Sequence, residues 1–154
     1  MAKVLVIDEC SEFREWATGE LRRNGFSVIV ARDGLAGLQR AVEDAPDWVL
    51  IDAGLSIQGG EEICRRLRGD DSTRDLRIAI WSSHSDEDQE IAALAAGADV
   101  FLLRSRQTAN LGEQGRTLLG SRLPTGLFAI ALDRGGDSEP PLESFALASA
   151  AGRR

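Results

Sequence analysis

Three acids, a hydroxyl and a guanidinium recur along this chain in one kind of place, directly after a short apolar run. Asp8 and Glu9 follow Val4-Leu5-Val6-Ile7, Asp52 follows Trp48-Val49-Leu50-Ile51, Ser82 follows Ile78-Ala79-Ile80-Trp81, and Arg104 follows Phe101-Leu102-Leu103. Carboxylates crowded together repel one another. A hard divalent cation such as Mg²⁺ relieves that repulsion, because it takes oxygen ligands and commonly keeps phosphate as a further ligand. The pattern therefore points to a metal-assisted phosphoryl site. Asp52 stands out within it, since a carboxylate that closes an apolar central strand is costly unless it is used or paired.

The elements that must position these groups can be read from periodicity. The apolar runs are too short for free helices and are continuous rather than alternating, as in strands buried on both faces of a parallel sheet. In such open sheets ligands collect outside the carboxyl ends of the strands, where the polar residues above fall. Phe26 to Ala31 supplies a further strand, and Asp99 to Leu103 is the last. Between strands the spacing turns helical. Ser11 offers an N-cap ahead of Phe13, Trp16, Ala17 and Leu21, and Asn24-Gly25 stops that helix. Asp33-Gly34 opens a second, with Leu35, Leu38 and Val42 on one face, ending before Pro46. Ile63, Cys64 and Leu67 mark a third with a charged outer face, including Arg65, Arg66 and Arg68. A capping box over Ser85 to Asp88 begins a fourth, which carries Ile91 and Leu94. The fifth, around Ala109 to Leu119, buries Leu111, Leu118 and Leu119, although Gly112 and Gly115 weaken it by about 1 kcal/mol each relative to alanine. Strands alternating with helices make an α/β protein, a parallel sheet with right-handed crossovers and helices on both faces.

A length of 154 residues suits one domain, residues 1–120, followed by an extension or tail, residues 121–154, expected to be partly disordered. Within that tail Leu127 to Leu132 is apolar enough to pack on the body or a partner, and 133–141 is linker-like. The net charge of -7 lies wholly in residues 1–120, because the tail carries 4 Lys+Arg and 4 Asp+Glu. An acidic body lacks the clustered cations that direct nucleic-acid binding needs. No apolar run approaches the ~20 residues of a membrane span, so a cytoplasmic location without membrane contact is expected. Cys10 and Cys64 form no metal or disulfide spacing and are expected to be reduced and wholly or partly buried. His84, the one histidine, is read as a loop residue, and Trp16, Trp48 and Trp81 as packing.

With VLVID, DWVLID, IAIWSS, AAGAD and FLLRS in this order, residues 3–119 resemble the receiver domain of two-component response regulators. That resemblance implies a flavodoxin-like, doubly wound five-stranded parallel sheet of order 2-1-3-4-5. It makes Asp52 the phosphoacceptor, with Asp8, Glu9, Asp52 and the Gly54 carbonyl holding Mg²⁺. Ser82 becomes the switch hydroxyl and, with Arg104, a ligand of the transferred phosphoryl group; Phe101 takes the aromatic switch position. The implied partners are a histidine kinase or phosphotransfer protein as donor, an output protein that the sequence does not name, and a second copy in a homodimer. Any catalysis is at most self-phosphorylation and autodephosphorylation of Asp52, not turnover of a substrate. Four positions depart from the family pattern: Glu9 stands for an aspartate, Arg104 for a lysine, and Ser56 and Ser105 for prolines. They motivate an alternative, an atypical receiver acting as a phosphorylation-independent interaction module. A flavodoxin-like cofactor binder is disfavoured because Asp8-Glu9 would face a phosphate with like charge. A phosphohydrolase is disfavoured because Gly54 occupies the position two after Asp52.

Overall fold

A computed structural model describes residues 1–83, 87–104 and 110–120. The elements run β1 (Lys3–Ile7), α1 (Ser11–Arg23), β2 (Ser27–Ala31), α2 (Gly34–Asp44) and β3 (Trp48–Asp52). They continue with α3 (Gly59–Gly69), β4 (Arg77–Ser82), α4 (Glu87–Ala95), β5 (Val100–Leu103) and α5 (Leu111–Gly120). All pairings are parallel and the sheet order is β2-β1-β3-β4-β5, the doubly wound arrangement expected. His84, the capping residue Ser85, Ser105, the segment Leu127 to Leu132 and the whole of 121–154 lie outside the described residues.

The continuous apolar runs divide by alternation between two cores. Val4, Val6, Trp48, Leu50, Ala79, Trp81, Val100 and Leu102 face α1 and α5, packing with Phe13, Leu21, Leu111 and Leu118. Leu5, Ile7, Val49, Ile51, Ile78, Ile80 and Phe101 face the other side, with Ile63, Cys64, Leu67 and Ala93. A strand covered on both faces has no polar face to show, which is why its sequence is uniformly apolar. Register places the carboxyl ends side by side: Ile7 pairs with Ile51, Asp52 with Trp81, and Ser82 with Leu103.

Two local expectations are corrected. The N-cap of α1 is Cys10, not Ser11, and its side chain makes no capping bond. Instead the Cys10 N–H donates to Asp8 Oδ1 at 2.8 Å, so the turn into the helix is set by the acid that ends β1. In α2, Asp33 caps as expected, accepting from the Ala36 N–H at 2.8 Å. The buried face of α2, however, is Gly37 and Ala41, while Leu35 and Val42 are 59% and 52% exposed. A Cβ at Gly37 would collide with the side chain of Ile7. Close approach of helix to sheet thus selects the small residues and turns Leu35 and Val42 outward, while Leu38 packs partly buried against the core. The same physics reinterprets Gly115 in α5, where a Cβ would strike the indole of Trp48 and the ring of Phe26.

Candidate active site at the carboxyl end of the sheet

Asp8 leaves β1 into the core edge and is 1% exposed. Its Oδ1 accepts from Cys10 N–H, and its backbone carbonyl accepts from Arg14 Nη1 at 2.6 Å, which fixes the entry to α1. Asp52, the last residue of β3, keeps 14% of its side chain exposed. Arg104 follows β5 and is 2% exposed, its backbone N–H donating to the Ser82 carbonyl at 2.8 Å. One nitrogen of its guanidinium, Nη2, lies 2.6 Å from Asp8 Oδ2 and 2.8 Å from Asp52 Oδ1. The guanidinium carbon also stands 4.2 Å from the centroid of Phe13 and 5.1 Å from that of Trp81. A planar, weakly hydrated cation suits such a seat, since a desolvated cation is attracted to aromatic faces.

Charge in this centre is unequal: two carboxylates face one guanidinium. Burial, followed by the neighbouring Asp52 charge, pushes Asp8 up to about 7 from an ordinary 3.8, against the opposing pull of Arg104 and the Cys10 N–H. Burial likewise raises Asp52, helped by the Glu9 charge, with Arg104 and the Gly54 N–H opposing. The directions agree with the geometry, because Arg104, with Arg14 helping at Asp8, does not offset the burial of two anions. Asp52 Oδ1 is held by Arg104 and by the Gly54 N–H at 3.1 Å. Oδ2 of Asp52 has no hydrogen-bond partner among the described residues. At Gly54 a side chain would begin 3.7 to 3.9 Å from both carboxylate oxygens, so glycine leaves the approach to Asp52 uncrowded.

Glu9 takes a different course from its neighbour. Its carboxylate accepts from the Ser56 N–H at 3.1 Å and from Ser56 Oγ at 2.7 Å, on the loop after β3. Ser82 is 3% exposed and its hydroxyl donates to Gln89 Oε1 of α4 at 2.8 Å. Phe101 is 5% exposed and packs in the core beside α3 and α4. The structure therefore brings Asp8, Asp52 and Arg104 into direct contact and sets Glu9 against Ser56. Among the described residues no group of three or more acidic, histidine or cysteine side chains is placed to hold a metal ion, although the Glu9 charge still reaches Asp52. Both acids that remain point an oxygen at Arg104 Nη2, so this donor arrangement does not fit Mg²⁺.

Three participants were not evident from the sequence. Phe13 reads as one more apolar helix position, yet it forms part of the guanidinium seat. Gln89 carries no signal as the partner of Ser82, and Ser56 stands out in the sequence only as a departure from the family's proline. A proline could not have donated the N–H that Glu9 accepts. Cys64 is buried and its thiol is pushed up to about 11, while Cys10 is partly buried, as expected of unreactive cysteines.

Comparison with known proteins agrees with this geometry. The family described as response regulator receiver domain matches residues 4–114. Response regulator MprA of Mycobacterium tuberculosis is 33% identical over 122 residues, covering 79% of this chain and 52% of that protein. Transcriptional regulatory protein PrrA of the same species is 32% identical over 120 residues, covering 78% and 51%. The chain thus spans about half the length of these relatives. Among solved structures, chemotaxis response regulator CheY4 of Vibrio cholerae superimposes with a TM-score of 0.71 at 22% identity, over 77% of this chain and 98% of that one, a likeness of fold. A response regulator receiver domain protein of Clostridium thermocellum gives 0.70 at 26% identity, over 77% and 94%. No helix among the described residues is long and apolar enough to cross a membrane. Sheet order, the acids at the strand ends and the matched span together place this chain in the response regulator receiver domain family of two-component systems.

Proposed function

We propose that Asp52 accepts a phosphoryl group from the phosphohistidine of a histidine kinase or phosphotransfer protein, and that the change is relayed by protein contacts. The observation that carries this reading is the asymmetry of the Asp52 carboxylate. Arg104 and the Gly54 N–H hold Oδ1, while Oδ2 has no partner among the described residues on a side chain that is 14% exposed. Asp8 and Arg104, by contrast, are sealed.

In the reaction, Oδ2 attacks phosphorus in line as the bond from phosphorus to the imidazole nitrogen breaks. The electron pair leaves with the imidazole, which takes up a proton, and Asp52 becomes an acyl phosphate. Little covalent work falls to the protein; position and charge do the rest. Arg104, already beside Asp52, stabilises the negative charge that develops on the phosphoryl oxygens. Ser82 contributes once its hydroxyl exchanges Gln89 for a phosphoryl oxygen, which couples the site to α4 and gives the switch role of Ser82 a physical basis. Phe101, packed beside α4, is placed to register that movement. Receiver domains as a family hold Mg²⁺ at this acidic site. Asp8 and Asp52 would hold the ion once they release the guanidinium that both engage.

A phosphorylation-independent interaction module is the second reading, favoured by the ion triad being complete without any phosphoryl group. Incubation with a small phosphodonor, with and without Mg²⁺, separates the two. An intact-mass gain of one phosphoryl group, absent in Asp52→Ala, is expected. No gain at saturating donor removes the first reading. The extension 121–154 and any homodimer belong to the same proposal, as routes by which the signal leaves the domain.

A further inference from the structure

The most heavily built feature of the site is the seat of Arg104. A nitrogen within hydrogen-bond distance of both Asp8 and Asp52 stands between them, where any cation relieving their repulsion has to be. Two cations cannot share that place, because their own repulsion in a buried centre is strong. The seat is shaped for a flat cation: Phe13 and Trp81 are fully buried, and their rings, with centroids 3.7 Å apart, lie together beside the guanidinium. A lysine ammonium is a compact, strongly hydrated point charge and would leave those faces uncovered.

A second departure from the family pattern fits the first. Glu9, the third acid, accepts from the Ser56 N–H and hydroxyl, while its charge still reaches Asp52. Serine in place of proline supplies that N–H, and the longer side chain of glutamate reaches it. Arg104, Glu9 and Ser56 therefore form one arrangement in which two acids share a protein cation and the third acid has its own donors.

We propose that Arg104 is the resident counter-cation of this site, occupying the position between Asp8 and Asp52 that a divalent ion takes in the family. Mg²⁺ then binds these acids only when the guanidinium leaves them. The proposal rests on the reading of Asp8 and Asp52 as the acidic phosphoacceptor centre. It deepens that reading: an arriving phosphoryl group draws Arg104 from the carboxylates onto its own oxygens.

Full-length wild type, Arg104→Gln and Arg104→Lys would be titrated with MgCl₂ while the thermal midpoint and tryptophan fluorescence are followed, Trp81 lying beside the guanidinium. The wild-type midpoint is expected to be the same in EDTA and in about 10 mM Mg²⁺, since a ligand stabilises only what it binds. Both variants are expected to bind Mg²⁺ about tenfold or more tightly than wild type. Arg104→Lys keeps a cation on a flexible stem and provides the folded comparison if Arg104→Gln fails to fold. Wild type binding Mg²⁺ as tightly as Arg104→Lys overturns the proposal. So does a gain of binding that survives the added Asp8→Asn substitution, because the ion would then sit elsewhere. Phosphorylation is read separately by intact mass. Absence of a phosphoryl gain with the Mg²⁺ contrast present removes the phosphoacceptor reading alone; tight wild-type Mg²⁺ binding with a phosphoryl gain removes the counter-cation alone.

Discussion

At the amino end of the sheet two arginines share one buried aspartate, whereas at the carboxyl end one buried arginine serves two. Asp99, 3% exposed, faces Arg68 at 3.0 Å and Arg77 at 3.4 Å, and also accepts from the Ile78 N–H at 2.8 Å. Arg68 further donates to the carbonyls of Gly97 and Arg74, each at 2.9 Å, and to that of Leu76. Both arginine side chains there keep some exposure, 23% and 32%, so water helps to carry their charge. That network ties α3 to the starts of β4 and β5 and leaves its anion fully satisfied. Arg104 is sealed, and its two anions remain undercompensated. On the proposed phosphoacceptor reading, the difference separates an ion network that fixes a fold from one that leaves an acid open to reaction: structure tolerates surplus donors, while a phosphoacceptor needs an acid that is not fully answered.

The sharpest way to break the contrast is to remove the cation from each end. Arg104→Ala leaves two buried carboxylates without the cation between them and should cost about 3–5 kcal/mol at pH 8 in urea unfolding. Arg68→Ala should cost about 2 kcal/mol, because Arg77 still faces Asp99, and should leave phosphorylation unchanged. Equal losses at the two ends would erase the distinction.

Removing an anion should do the opposite at the carboxyl end. Asp8→Asn converts an unbalanced triad into a one-to-one pair with Asp52. Because Asp8 is raised to about 7 in the fold from an ordinary 3.8, the folded state binds the extra proton between those values. Its contribution is therefore present at acidic pH and lost as pH rises through about 7. Wild type minus Asp8→Asn stability should fall by about 4 kcal/mol from pH 4 to pH 8, read from urea midpoints. A flat difference would mean that Arg104 compensates both acids. The smallest expected effect is at Ser56. Ser56→Ala keeps the N–H but removes the hydroxyl that Glu9 accepts, for a loss of about 0.5–1 kcal/mol on an exposed loop.

How much could be read beforehand follows from the range of the interactions concerned. The uniform runs at Val4–Ile7, Trp48–Ile51 and Ile78–Trp81 announced strands covered on both faces, and the acids that close them announced the site. Periodicity was misleading at α2, where Leu35 and Val42 lie outside and Gly37 lies inside, because helical spacing cannot tell which of two stripes meets a sheet at close range. It was also silent about Phe13 and Gln89.

The sequence by itself determined the alternation of strands and helices, the carboxyl-end placement of Asp8, Asp52, Ser82 and Arg104, and the family to which they conform. These follow from local patterning and from the fixed direction of a parallel sheet. Only the tertiary structure decided what those groups do to one another. Asp8 and Arg104 are 96 residues apart in sequence, yet they meet at 2.6 Å. Whether a guanidinium answers one carboxylate, both or neither depends on aromatic faces from α1 and β4 and on a serine after β3, and no local pattern specifies that geometry.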